Sequence, residues 1–135
     1  MNSDTFNLFD NVCISGDLDA VKTMLAATKF NECQLNTALR HAAYYTNPNR
    51  DIREEIINEL IEHGAKVDWT DRGIETITNS FNLLSPYALK KILNACDGNK
   101  KKLAVALEIV SFKQDAKWAI DLIEDRMDGE LHIGF

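Results

Sequence analysis

The chain has 135 residues, a length that suits one domain and is short for two. Its composition, with 45% hydrophobic and 27% charged residues, is that of an ordinary globular protein and excludes a disordered or fibrous chain. The formal net charge of −6 argues against nucleic acid as a partner, because a phosphate backbone would be repelled on average.

Eight helices are predicted, because apolar residues recur at the i, i+3, i+4 and i+7 spacing of an amphipathic helix. They come in four pairs along the chain. The first helices of the pairs are predicted over 6–15, 37–45, about 75–83 and 101–112. The second helices carry apolar clusters at 21–25, 57–61, 89–93 and 119–123, which follow one another at offsets of 36, 32 and 30 residues. A period near 33 is typical of stacked helix-turn-helix repeats.

Turn-forming and capping residues separate the predicted helices. Ser-Gly-Asp at 15–17 and Asn-Pro-Asn at 47–49 are expected to form turns inside the first two pairs. Pro86 follows a serine and is expected at the first position of a helix. Gly64 and the Asp-Gly at 97–98 are expected to end helices, because glycine tolerates the left-handed conformation found there.

The first half of the chain carries the residues of a known repeat pattern. Thr-Ala-Leu-Arg-His-Ala-Ala stands at 37–43, and a helix at 56–63 leads into Gly-Ala-Lys-Val-Asp at 64–68. Gly-Asp-Leu-Asp-Ala-Val-Lys-Thr-Met-Leu stands at 16–25, and Asp-Arg-Gly-Ile-Glu-Thr stands at 71–76. Together these segments resemble the ankyrin repeat, whose units begin T-P-L-H-x-A and end in a G-A exit.

The resemblance implies an all-α, ankyrin-like solenoid of about four stacked helix-turn-helix units with short finger loops. The solenoid is expected to form a single domain over 1–135. Ala42 and Ala43 would let neighbouring helices approach, and the Thr37 hydroxyl would cap a helix, a contact worth about 1 kcal/mol. Units three and four keep the helical period but few signature residues, so a differently packed helical cap stays open there. The units are expected at approximately 5–34, 35–70, 71–98 and 99–130.

Partner binding is implied at two parts of such a solenoid, the finger loops between units and the concave face of the first helices. These are the positions that vary between proteins sharing the scaffold, so function has to be argued from them. The finger positions are Lys66, Asp68, Trp69, Asp71 and Arg72, and the concave-face positions are Arg40, His41, Tyr44 and Tyr45.

Trp69 is the leading anchor of this predicted surface. It lies in a polar segment outside the predicted helices, where it is not needed for a helix core. Tryptophan, tyrosine and arginine are enriched at binding hot spots. The alternative is that its indole folds back over the neighbouring unit. Tyr44 and Tyr45 face the same choice, between contact with a partner and packing against the long loop that follows. Trp118, inside an apolar helix, is predicted to belong to the core.

The sequence predicts no catalytic residue, no metal and no cofactor. It contains no phosphate-binding loop, no dinucleotide fingerprint and no serine elbow. Its histidines and three widely spaced cysteines show no metal-ligand spacing. Because the number of cysteines is odd, they cannot all pair in disulfides within one chain. Cys13 and Cys33 are expected on apolar helix faces as small buried hydrophobes.

We therefore expect a protein–protein interaction module, such as an adaptor, scaffold or inhibitor, that is monomeric alone and binds neither nucleic acid nor membrane. The chain starts without a secretory signal and has no long apolar stretch, which favours the cytoplasm. Small degenerate ankyrin-like proteins occur in intracellular bacteria and large DNA viruses. The resemblance therefore also admits a host-directed effector acting in the host cytoplasm.

Two alternatives stay open. One is a small helical enzyme whose site would use Arg40, His41 and Tyr44, and which should have a deep pocket with perturbed titrating groups. The other is an inhibitor that mimics nucleic acid through the acidic residues of 115–130, whose binding should weaken steeply with salt. The basic run at 100–102 is expected to be the solvated start of a helix.

Overall fold

The computed structural model describes residues 3–44, 49–69, 73–83, 86–96 and 99–132. These residues form eight α-helices and no strand, which confirms the predicted all-α class. No helix in these ranges combines the length and the hydropathy needed to cross a membrane. The helices are α1 (Ser3–Ser15), α2 (Leu18–Ala27), α3 (Glu32–Tyr44), α4 (Arg50–Glu62), α5 (Gly73–Leu83), α6 (Pro86–Asn94), α7 (Lys100–Ser111) and α8 (Lys117–His132).

Consecutive helices pack against each other in four pairs: α1 with α2, α3 with α4, α5 with α6 and α7 with α8. The first helices of the pairs also form a row, in which α1 contacts α3, α3 contacts α5 and α5 contacts α7. The second helices form a parallel series of contacts from α2 through α4 and α6 to α8. The helices therefore lie in two layers, and the apolar core runs between them.

Small residues of α3 bring the first helices close together. Ala38, Ala42 and Ala43 have no exposed surface, and neither has Leu39 beside them. Because alanine side chains take little room, α3 can lie against α1, α4 and α5 while larger side chains such as Leu60 fill the space between layers. The burial expected of Ala42 and Ala43 is confirmed.

Several predicted helix ends are confirmed. Gly16 and Gly64 have φ angles of 82° and 108°, in the left-handed region that favours glycine. The Asp17 side chain caps α2, and the Asn49 side chain caps α4 by accepting backbone N–H groups. Pro86 is the first residue of α6. The predicted turn residues at 47–48 and 97–98 lie outside the described residues.

Thr37 does not cap a helix as predicted. It lies inside α3, where its hydroxyl donates to the carbonyl of Cys33 at 2.9 Å. The cap stands further upstream, because the Gln34 N–H donates to Asn31 Oδ1 at 2.8 Å while the Asn31 N–H donates to Gln34 Oε1 at 3.0 Å. This reciprocal capping box satisfies two backbone N–H groups and starts the helix at Glu32.

Two arginines bind carbonyl oxygens at the end of a preceding helix. Arg53 of α4 is buried and donates from Nη1 to the Ala42 carbonyl of α3 at 2.6 Å. Arg126 of α8 donates from Nε to the Leu93 carbonyl at 3.0 Å and from Nη2 to the Cys96 carbonyl at 2.7 Å, at the end of α6. The last carbonyls of a helix lack partners within it, and a cation also suits the negative end of the helix dipole.

Candidate partner-binding surface

The predicted finger positions follow α4, and the structure describes three of them. Lys66 is exposed, and its backbone N–H donates to Asn36 Oδ1 at 2.6 Å, which ties this segment to α3. Asp68 is half-buried. Asp71 and Arg72 lie outside the described residues. The described part of the finger is therefore a short connection held against the first layer of helices.

Trp69 packs against the hydrophobic core and keeps part of its surface exposed. Just before it, Val67 is buried, and its N–H donates to the Ala95 carbonyl at the end of α6 at 3.2 Å. The packing of the indole matches the alternative expectation, in which it covers apolar surface. Its contact with a partner stays a prediction. Trp118 is also half-buried against the core, as expected.

His41, a predicted concave-face residue, is held by a contact within the chain. Its Nδ1 lies 2.8 and 2.9 Å from the two carboxylate oxygens of Asp10, which joins α3 to α1. The two side chains are 28% and 15% exposed, so the pair is partly shielded from water. Arg40 is half-buried, and Tyr44 is the last residue of α3. Tyr45 lies outside the described residues.

The three cysteines have different environments. Cys13 and Cys96 are buried, whereas Cys33 is exposed, so the expected burial is confirmed for Cys13 and wrong for Cys33. With 100° between successive helical residues, position 33 lies across the helix from the buried Leu35. Burial, and secondly the charge of Asp10, raises the pKa of Cys13 to about 12. Its thiol therefore stays protonated at neutral pH, which disfavours a thiolate nucleophile there.

The raised pKa of Cys13 predicts a pH dependence of stability. Its ordinary value is 9.0, so between pH 9 and 12 the unfolded chain loses this proton while the folded chain keeps it. The contribution is fully present below pH 9 and is lost as the pH rises. Between pH 9 and 12 the chain should lose up to about 1.4 kcal/mol per pH unit relative to Cys13→Ala, measured by urea unfolding. Equal slopes for the two proteins would contradict this assignment.

Among the described residues, the largest group of exposed apolar side chains lies on α7, which sequence reasoning missed. Five large apolar side chains are exposed among the described residues, and three of them are Val105 (43%), Ile109 (41%) and Phe112 (84%). Val105 and Ile109 lie on α7, and Phe112 is its C-terminal cap. At i, i+4 and i+7 they fall within about 60° around the helix axis. We call these three residues the α7 stripe.

Lysines flank the α7 stripe at both ends. Lys100 and Lys101 are exposed, and Lys102 and Lys113 are half-buried. Residues 99–114 hold these four lysines and one acidic residue, Glu108, so their net charge is 4 − 1 = +3. The expected solvated helix start at 100–102 is confirmed for its first two residues. The stripe therefore has lysines at both ends, with the exposed Glu108 and Asp115 as the acidic residues nearest to it in the sequence, on a chain whose net charge is −6.

Two open clefts lie elsewhere on the described surface. One, of about 430 Å³, is formed by the end of α2, the connection to α3 and His63. The other, of about 360 Å³, is acidic and lies between α4 and Tyr87. Cys13 and Arg53, whose pKa values are shifted by burial, line neither cleft. Within the described ranges, no three metal-ligating side chains are grouped so that they could hold an ion.

No protein-family model, curated protein or solved structure matches this chain. The ankyrin resemblance therefore rests on the residue patterns of 16–25, 37–43, 56–68 and 71–76. The function has to be argued from the surface of this chain.

Proposed function

We propose that the chain is a protein–protein interaction module with an ankyrin-like solenoid architecture, and that it binds a partner protein through the α7 stripe and the finger segment 66–69. The observation that carries the proposal is the α7 stripe. Isolated exposed apolar residues are ordinary, whereas exposed apolar side chains grouped on one helix face are a candidate site of interaction. Phe112, the most exposed member, is an aromatic residue, and aromatic residues are enriched at protein–protein interfaces.

The solenoid architecture is supported by the order of helix contacts. The main contacts join helices of one pair or of consecutive pairs, as between α3 and α5 or between α4 and α6. A stack in which each unit contacts its neighbours has this pattern, and the period near 33 fits the same arrangement. In such a stack α7 is the last of the first helices, so a partner can approach it from the open end.

The two helices of the last pair differ in their exposed faces. An end unit of a repeat stack must show one face to water, so a polar surface is expected there. The exposed face of α8 meets this expectation, whereas the exposed face of α7 carries the apolar stripe. A bound partner would remove this apolar surface from water, which favours association. The acidic residues exposed on α8 are Asp121, Glu124, Asp125 and Asp128.

Affinity capture from the cells that make the chain, followed by titration of the captured protein, tests the proposal. We expect a stoichiometric partner whose affinity falls at least about tenfold in Phe112→Ser. Leu8→Ser and Tyr87→Ser are matched controls, because they replace exposed apolar residues away from α7 and should leave the affinity unchanged. Equal weakening by all three substitutions, or none by Phe112→Ser, would remove the stripe from the account.

Trp69→Ala tests the finger segment separately. If the exposed part of the indole contacts the partner, the affinity should again fall at least about tenfold. Because the indole also packs against the core, unfolding of the variant has to be measured alongside binding. Unchanged affinity in a folded variant would confine the binding surface to α7.

A nucleic-acid-mimicking inhibitor is the second candidate function, favoured by the acidic exposed face of α8. It predicts that binding weakens steeply with salt and that substitutions on α8, such as Glu124→Gln with Asp125→Asn, reduce affinity. In that case Phe112→Ser would leave affinity unchanged. The two functions therefore make opposite predictions for the same pair of variants.

A further inference from the structure

We propose that the occupant of the α7 stripe is an acidic amphipathic helix of the partner protein. This inference rests on the proposed function and names the chemistry of the partner at that site. It combines the shape of the stripe with the charge of the residues around it.

The shape of the stripe suits a helix. Its three side chains follow one side of α7 for about 10 Å, at a rise of 1.5 Å per residue, and form a ridge. Helices α5 and α8 already contact α7 on other sides, so the stripe faces away from the core formed by Leu103, Ala106 and Val110. A second helix with apolar residues at the same i, i+4, i+7 spacing can pack its grooves over such a ridge.

The charge around the stripe selects an acidic partner. Residues 99–114 carry a net charge of +3, so the rest of the chain carries −6 − 3 = −9. The lysines at 100–102 occupy the first turn of α7, where the positive end of the helix dipole disfavours cations. They therefore cost helix stability, and acidic side chains on a partner would offset that cost. Opposite charge also steers the partner to this part of an acidic protein.

Two other occupants are disfavoured by the same charges. A second copy of the chain placed symmetrically, α7 against α7, would bring two +3 surfaces together. An anionic membrane is far wider than one helix and would also meet the rest of the chain, whose net charge of −9 repels it. A single partner helix can follow α7 without covering α8.

The test uses the full chain and two labelled synthetic peptides of about 18 residues. Both have leucine at helical i, i+3, i+4 and i+7 positions. The first has glutamate at the remaining positions and the second has lysine there. We expect the acidic peptide to bind at least about tenfold more tightly than the basic one by fluorescence anisotropy. When the acidic peptide is added, the changes in the amide chemical shifts of the chain should centre on 99–114.

Substitutions on the chain complete the test. Phe112→Ser should weaken the acidic peptide at least about tenfold, and Lys101→Glu should weaken it while favouring the helix, because an acidic residue suits the first turn of α7. Leu8→Ser should leave binding unchanged. Added salt should weaken the acidic peptide and leave the fold intact, since surface charges are screened.

Four results would overturn the inference: equal binding of the two peptides, no binding of the acidic peptide up to about 1 mM, a self-association that Phe112→Ser abolishes, or tighter binding to phosphatidylserine vesicles than to the acidic peptide. Failure of the inference can be told apart from failure of the proposed function. If Phe112→Ser weakens the captured partner while the acidic peptide does not bind, the interaction surface stands and only its occupant is different.

Discussion

Replacing Arg53 with methionine should lower the free energy of unfolding by about 2 kcal/mol. Arg53 is only 2% exposed, and its Nη1 donates to the Ala42 carbonyl at 2.6 Å. Burial lowers the pKa of its guanidinium, so methionine also removes a costly buried charge, which offsets part of the loss. Methionine preserves most of the apolar stem but leaves a buried carbonyl of α3 without its donor. Urea unfolding followed by circular dichroism measures the difference.

Arg50→Met is the matched control for this prediction. Arg50 begins the same helix and is exposed, so its replacement should change stability by less than about 0.5 kcal/mol. If the two variants lose similar amounts, the hydrogen bond from Arg53 contributes little. The helix end it binds would then be stabilised in another way.

Gly73→Ala should destabilise the chain by about 2 to 3 kcal/mol. A Cβ atom at this position would lie 2.5 Å from the Asp68 carbonyl oxygen, 2.7 Å from the Asp68 carbonyl carbon and 2.9 Å from Val67 Cγ1. Two of these atoms belong to the backbone, which cannot rotate away as a flexible side chain can. The start of α5 or the finger segment would have to shift.

The sign of this effect separates close packing from ordinary helix preference. Alanine is favoured over glycine in helices by about 1 kcal/mol, so without the contact the substitution should stabilise α5 or leave it unchanged. Adding Val67→Ala should recover little stability, because it removes one side-chain contact and leaves the backbone contact. A stabilised Gly73→Ala variant in urea unfolding would contradict the close approach of Asp68.

Much of the fold could be predicted from local sequence patterns. The spacing of apolar residues predicted every pair of helices, because one helix face buried in a core leaves a period of 3.6 in the sequence. Gly64 and Pro86 stand where their backbone preferences place them. The start of α3 was misplaced because both Asn31 and Thr37 can cap a helix, and only the pairing of Asn31 with Gln34 decides between them.

Contacts between distant residues were beyond sequence reasoning. His41 and Asp10 are 31 residues apart, and nothing in either segment predicts that they meet. A signal for Arg53 was present, since position 53 shares a helix face with the buried Ile57 and Leu60. Its charge concealed that signal, because arginine is seldom fully buried unless it is paired.

The α7 stripe could not be predicted from the sequence either. Helix α7 is apolar on two faces, one through Leu103 and Val110 and the other through Val105 and Ile109. Sequence alone cannot tell which face meets α5 and α8 until the packing of those helices is known. The repeat pattern therefore placed the predicted site at Trp69 and His41. Both residues make contacts within the chain.

Amide hydrogen exchange of the whole chain, with and without its captured partner, locates the binding surface without any substitution. Exchange should slow on binding in 100–113 and in the segment 66–69, because bound partners shield backbone amides and suppress local opening. Little change is expected at the cleft beside His63. Protection confined to that cleft or to α8, with α7 unchanged, would contradict the proposed binding surface.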